Sequence, residues 1–109
     1  MEKRVKKARY FLAYIDTIEK RNQLKKVLAA ASDEEIRSLL EVIGNLIEGN
    51  LTCRIRDLVN LETHKTLLFK LWEGPGSLRV KRNKLGRSIT QIRLVLVTAN
   101  HFIKELLHH

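Results

Sequence analysis

Arg79, Lys81, Arg82, Lys84 and Arg87 place five cations within nine residues, directly after the run Gly74-Pro75-Gly76-Ser77. A cluster of that density, presented after a turn, can offer several charges to a phosphate backbone. Binding of this kind is independent of base sequence and is driven by counterion release. A second cluster, Lys3, Arg4, Lys6, Lys7 and Arg9, lies near the other end and is joined by Lys20, Arg21, Lys25 and Lys26. Either cluster alone reads equally as a solvated face or a localisation signal, whereas two in one short chain favour a polyanion partner. The expected contacts are therefore Lys3, Arg4, Lys6, Lys7, Arg9, Arg79, Lys81, Arg82, Lys84 and Arg87, with duplex DNA as the expected partner. Asn22, Gln23, Asn83 and Gln91 have side chains able to read base edges; nothing in their spacing marks them out. Trp72, Tyr10 and Tyr14 fall on apolar stripes and are expected in the core rather than as stacking platforms.

Other chemistries find little in the sequence. There is no phosphate-binding glycine loop, no nucleophile elbow, no histidine pair on one helix face and no carboxylate set with metal-ligand spacing. Cys53 is alone, which excludes an internal disulfide and suggests a reducing compartment. As a nucleophile it would need a positioned base, and none lies nearby in sequence. His64 and His101 stand apart on separate segments. Leu107-His108-His109 reads equally as a tag remnant, so those histidines carry no metal argument. A non-enzymatic protein without metal or cofactor is expected.

The elements that must position the cations follow from hydrophobic periodicity. A first helix is expected over residues 3–18, with Val5, Ala8, Leu12 and Ile15 on one stripe, and a second to about Ala31 through Leu24, Val27 and Leu28. The third has the clearest signals: Ser32 with Glu35 forms a capping box, and Asp33, Glu34 and Glu35 lie at the positive end of the helix dipole. Ile36, Leu39, Leu40, Ile43 and Ile47 continue it to a stop at Gly49-Asn50. Gly44, inside it, costs about 1 kcal/mol relative to alanine and is expected at a close crossing. A fourth helix runs from about Arg54 to Trp72, burying Leu58, Leu61, Leu68, Leu71 and Trp72. Ser77 caps a short basic turn, Leu78 to Leu85.

The last segment, Ile89 to Leu107, keeps helical spacing through Ile92, Leu96, Ala99, Phe102, Ile103, Leu106 and Leu107. Leu94 to Thr98 also favours strand, and Leu78-Arg79-Val80-Lys81 alternates, so a basic hairpin is the competing reading. The middle of the segment is apolar nearly all round, which implies a central helix or one shared with a second subunit.

Charge is segregated along the chain. Residues 1–26 carry a net +6, residues 27–53 a net −4, residues 54–76 a net +1 and residues 77–109 a net +6, making +9 in all. Two basic poles thus flank an acidic helix whose Asp33, Glu34, Glu35, Glu41 and Glu48 could repel DNA or pair with a basic pole of another copy. The 44% hydrophobic content and single proline argue for a folded chain. No stretch approaches the roughly 20 apolar residues of a membrane span, and no signal-peptide cleavage site follows Tyr10-Phe11-Leu12.

The run Leu24-Lys25-Lys26-Val27-Leu28, Ala31 to Glu35 and Ile36 to Leu51, followed by Leu61, His64-Lys65, Leu68, Leu71, Ser77-Leu78, Lys81-Arg82 and Lys84-Leu85, resembles the small basic proteins encoded by polinton-type self-replicating elements and adintoviruses, relatives of the adenovirus lineage. The similarity covers about residues 20–86. It implies a minor virion or DNA-associated core protein. The group often carries a glycine-rich hydrophobic tail after the Lys/Arg cluster; here Ile89 to Leu107 is amphipathic and interrupted by charge, which removes the ground for a membrane role.

These readings converge on one all-α domain over residues 1–109, a bundle of about five helices. The expected role is sequence-independent DNA binding or condensing, intracellular in the nucleus or a virion. The competing readings are a helical protein-interaction module, a capsid or regulatory adaptor that dimerises through Ile89–Leu107, and attachment of the N-terminal segment to anionic membrane.

Overall fold

The computed structural model describes residues 2–108. Among them nine helices and no strand are found: α1 (Glu2–Lys7), α2 (Arg9–Thr17), α3 (Arg21–Ala30), α4 (Asp33–Ile47), α5 (Ile55–Glu62), α6 (Lys65–Glu73), α7 (Leu78–Gly86), α8 (Ile89–Thr98) and α9 (Asn100–Leu107). The all-α expectation is met, and nine helices replace the expected five.

Three of the expected helices are each broken once, and the expected short basic turn is the nine-residue helix α7. The first divides at Ala8 (φ −92°, ψ 11°), the fourth at Thr63-His64 (His64 φ −109°, ψ 5°) and the last at Ala99 (φ −88°, ψ 5°). The molecule measures 30 × 30 × 27 Å. A straight helix over residues 89–107 would be about 28 Å long, the width of the whole globule. Breaking it lets each half meet a different neighbour: α8 packs against α5, α2, α3 and α7, while α9 packs against α2. In the same way α1 lies on α4 and α2 on α9, and α5 lies on α8 and α6 on α4.

Helix α4 forms as its sequence requires. Ser32 Oγ accepts from the Glu35 amide at 3.1 Å and Glu35 Oε1 accepts from the Ser32 amide at 2.8 Å, satisfying two orphan N–H groups. At the other end Gly49 adopts φ +75°, the Asn50 amide donates to Asn45 O at 2.9 Å and the Gly49 amide to Leu46 O at 3.2 Å. That is a Schellman stop, and Gly49 supplies the left-handed residue it needs. Gly44 sits at the expected crossing: a Cβ added there would lie 2.4 Å from the Trp72 indole.

The core is aliphatic and continuous, with Leu12, Ile15, Leu24, Leu28, Ile36, Leu39, Ile43, Leu68, Leu71, Leu85, Ile89 and Ile92 fully buried. The strand-favouring run 94–98 is helical. Val95, Leu96 and Thr98 are buried there, and Thr98 Oγ1 donates to Leu94 O at 2.8 Å; tertiary burial overrides β propensity. The apolar surround of α8 is thus covered by its own chain except at Val97, which is 49% exposed. Three expectations about burial are corrected: Tyr10 is 66% exposed, Tyr14 50% and Leu58 37%. No helix is long and apolar enough to cross a membrane among the described residues.

Candidate nucleic-acid interface

Helices α3 and α7 bring together cations from the two clusters of the sequence. Neither RNQLKKVLAA nor LRVKRNKLG contains an acidic residue, so amphipathic packing of Leu24, Leu28 and Leu85 leaves an acid-free outer surface on which cations alternate with neutral residues such as Asn22, Gln23 and Asn83. Their mutual direction follows from three contacts. Arg82 reaches the carbonyls of Leu28 and Ala31, Gly86 lies beside Lys25, and Arg21 donates to Thr90 Oγ1 at 2.7 Å. As numbers rise in α7 they fall in α3, so the two helices run antiparallel. Lys25 and Lys26 thus stand level with the end of α7, near Arg87.

The structure therefore reassigns residues between the poles. Sequence proximity groups Arg21, Lys25 and Lys26 with Lys3–Arg9, whereas in space they belong with Arg79–Arg87. Lys25, Lys26, Arg79 and Arg87 are exposed, and they and the half-buried Lys84 form no ion pair among the described residues. Lys84 and Arg87 also border a cleft of about 320 Å³ with Lys70, over an apolar floor from Leu67 and Leu71.

Three of the expected contact residues are engaged with groups on other elements. Arg82 Nη1 donates to Leu28 O at 3.0 Å and Ala31 O at 2.5 Å, and Nη2 pairs with Asp33 at 2.9 Å. It thereby closes the C-terminal end of α3, where carbonyls lack helical partners. Lys81 Nζ donates to Trp72 O at 2.7 Å. Arg4 pairs with Glu41 at 2.6 Å and Glu34 at 3.3 Å. The spacing of cations carries no trace of these roles, since each depends on a partner 9 to 54 residues away.

The first pole lies against the acidic helix. Val5 is fully buried, and Ser38 Oγ lies 3.2 Å from Arg4 O and 2.8 Å from Glu34 O, holding α1 on α4. Lys3, Lys6 and Lys7 remain exposed, and Arg9 donates to Lys6 O at 2.7 Å. The carboxylates of α4 find partners in their own chain, Asp33 with Arg82, and Glu34 with Arg4 and Arg37. Arg4 and Lys81 line a common depression over α4 with Arg37 and Glu41, so the two poles approach each other there.

The remaining candidates are occupied or solvent-facing. Gln91 Nε2 lies 3.3 Å from His64 Nδ1, and Arg93 donates to Glu19 O. Asn22, Gln23 and Asn83 are exposed. Cys53 borders a depression of about 430 Å³ with Asp57, Asn100 and His101. Burial and then the Asp57 carboxylate push its thiol pKa up, so the thiol is held protonated. Asp57 is itself paired with Arg54 at 2.8 Å. No metal-binding group of His, Cys, Asp or Glu is found among the described residues.

Comparison with protein-family models, curated proteins and solved structures finds no match to this chain.

Proposed function

We propose that this protein is a non-enzymatic, sequence-independent nucleic-acid-binding protein that engages the phosphate backbone of DNA, of the kind that packs a viral-type genome. The observation that carries the reading is the acid-free antiparallel pair α3 and α7, which aligns Lys25, Lys26, Arg79, Lys84 and Arg87 on adjoining helices. Cations in such a row meet successive phosphates without consulting the bases. Lys3, Lys6 and Lys7 supply a second contact region, while Arg4, Lys81 and Arg82 act by holding the scaffold.

Duplex binding as a function of salt tests this. Affinity is expected to fall steeply with log salt and to be equal for unrelated duplex sequences. The double variant K25E/K26E is expected to reduce the slope by about two, at roughly 0.9 per phosphate contact. A flat salt response, or no duplex binding at low salt, would overturn the reading.

A second reading, a helical interaction module, draws on Ile55, Leu58 and Val59. They occupy one face of α5 and leave Ile55 80% and Val59 63% exposed. The self-association expected of residues 89–107 would on this reading move to α5. Light scattering that returns a concentration-independent monomer would remove it.

A further inference from the structure

We infer that Tyr10 and Tyr14, with the cations of α1, form a platform for unpaired bases, so that the first basic pole takes single-stranded nucleic acid. The inference rests on the phosphate-binding reading and names the form of strand this pole accepts. Lys3, Lys7, Tyr10 and Tyr14 follow one another at spacings of four, three and four residues. The break at Ala8 does not scatter them, because Ala8 N donates to Arg4 O at 3.2 Å and Leu12 N to Ala8 O at 2.9 Å, continuing the helical ladder through it. Val5, Leu12 and Ile15 take the buried stripe, so Lys3, Lys7, Tyr10 and Tyr14 stand exposed together.

Large aromatic rings cost free energy in water, and two on one exposed stripe beside lysines match what a strand with free bases requires. Each base has a π-face that stacks on a ring irrespective of identity, while adjacent cations track the backbone. The Arg9 guanidinium lies 4.6 Å from the Tyr10 ring centre, bringing charge to the ring itself. The two tyrosines are one turn apart, about 6 Å along the axis. That is wider than the roughly 3.4 Å step between stacked duplex bases, so the platform suits bases already separated. A duplex keeps its base faces stacked inside and cannot use it. The cleft between Tyr10, Phe11 and the start of α4, about 520 Å³, also contains Glu34 and Glu35. These acids do not stand uncompensated: Glu34 is paired with Arg4 and Arg37, and Glu35 caps α4.

The test uses the full chain with a labelled oligothymidylate and a duplex of equal length. Y10A and Y14A are expected to weaken single-strand binding about five-fold or more each, with duplex affinity changed less than two-fold. Y10F and Y14F, which keep the ring, are expected to bind like the parent. Both tyrosines are exposed, so the thermal midpoint should hold and show that folding is intact. If the alanine variants lose single strand and duplex equally, or lose neither, the platform is overturned while phosphate binding stands. If the parent binds neither strand form, both readings fall.

Discussion

At the scale of single residues, the same side-chain type serves opposite ends in this protein. Arg82 and Arg87 are five positions apart in one basic run, yet only Arg82 reaches back to α3, and its side chain is 17% exposed. Truncating it leaves the carbonyls of Leu28 and Ala31 without their donor, since the α3 helix itself cannot satisfy them. R82A is therefore expected to cost about 2 kcal/mol of stability, measured by urea unfolding. R82K, which carries a charge but lacks the guanidinium fork, is expected to fall between. R87A is expected to leave stability unchanged. Equal stability of R82A and R87A would show that the α3 cap has no such role.

At the scale of elements, the legible parts were those in which local chemistry and periodicity agreed. Ser32, Glu35 and Gly49 mark both ends of α4, and Gly44 announces a close neighbour, although only the fold names it as Trp72. The breaks at Ala8, Thr63-His64 and Ala99 were not legible. Alanine favours helix, and the interruptions arise because each half packs on a different partner. Tyr10 and Tyr14 misled for a related reason: they adjoin an apolar stripe in sequence, while α1 and α2 bury only the Val5–Leu12–Ile15 side. The crossing at Gly44 yields a test in which two effects compete. G44A gains about 1 kcal/mol of helix propensity, but a methyl 2.4 Å from the Trp72 indole forces the ring aside, an overpacking cost of ~1–3 kcal/mol. Net destabilisation of about 1 kcal/mol is expected, with a shift in tryptophan emission. In a double-mutant cycle W72L should relieve the G44A cost; an additive cycle would show that the ring moves freely.

At the scale of the whole molecule, charge is distributed by topology rather than by composition. The net +9 includes five carboxylates between residues 27 and 53, and α4 spends several of them on Arg4, Arg37 and Arg82. Among the described residues, cations without an ion pair include those of two regions of different character, an acid-free helix pair and a stripe of lysines and tyrosines. The sequence order of the cations could not show this, because α3 travels with the first pole along the chain and with the second in space. Duplex binding is accordingly expected to respond to K25E/K26E, and single-strand binding to Y10A and Y14A, so that one set of changes can be made without the other.

The antiparallel fit of α3 to α7 also has a temporal side. Arg21 meets Thr90, Arg93 reaches Glu19, and Asn100 donates to Asp16 at 2.5 Å, so the early quarter of the chain is completed only by the late one. During synthesis α2 and part of α3 stay uncovered until α8 and α9 follow, whereas α1 meets α4 earlier. Loop closure over such separations slows folding, and a polypeptide comprising residues 1–86 is expected to show little cooperative thermal unfolding by circular dichroism, whereas residues 1–109 unfold in one transition. A chain of this charge is open to attraction by polyanions before its fold is complete.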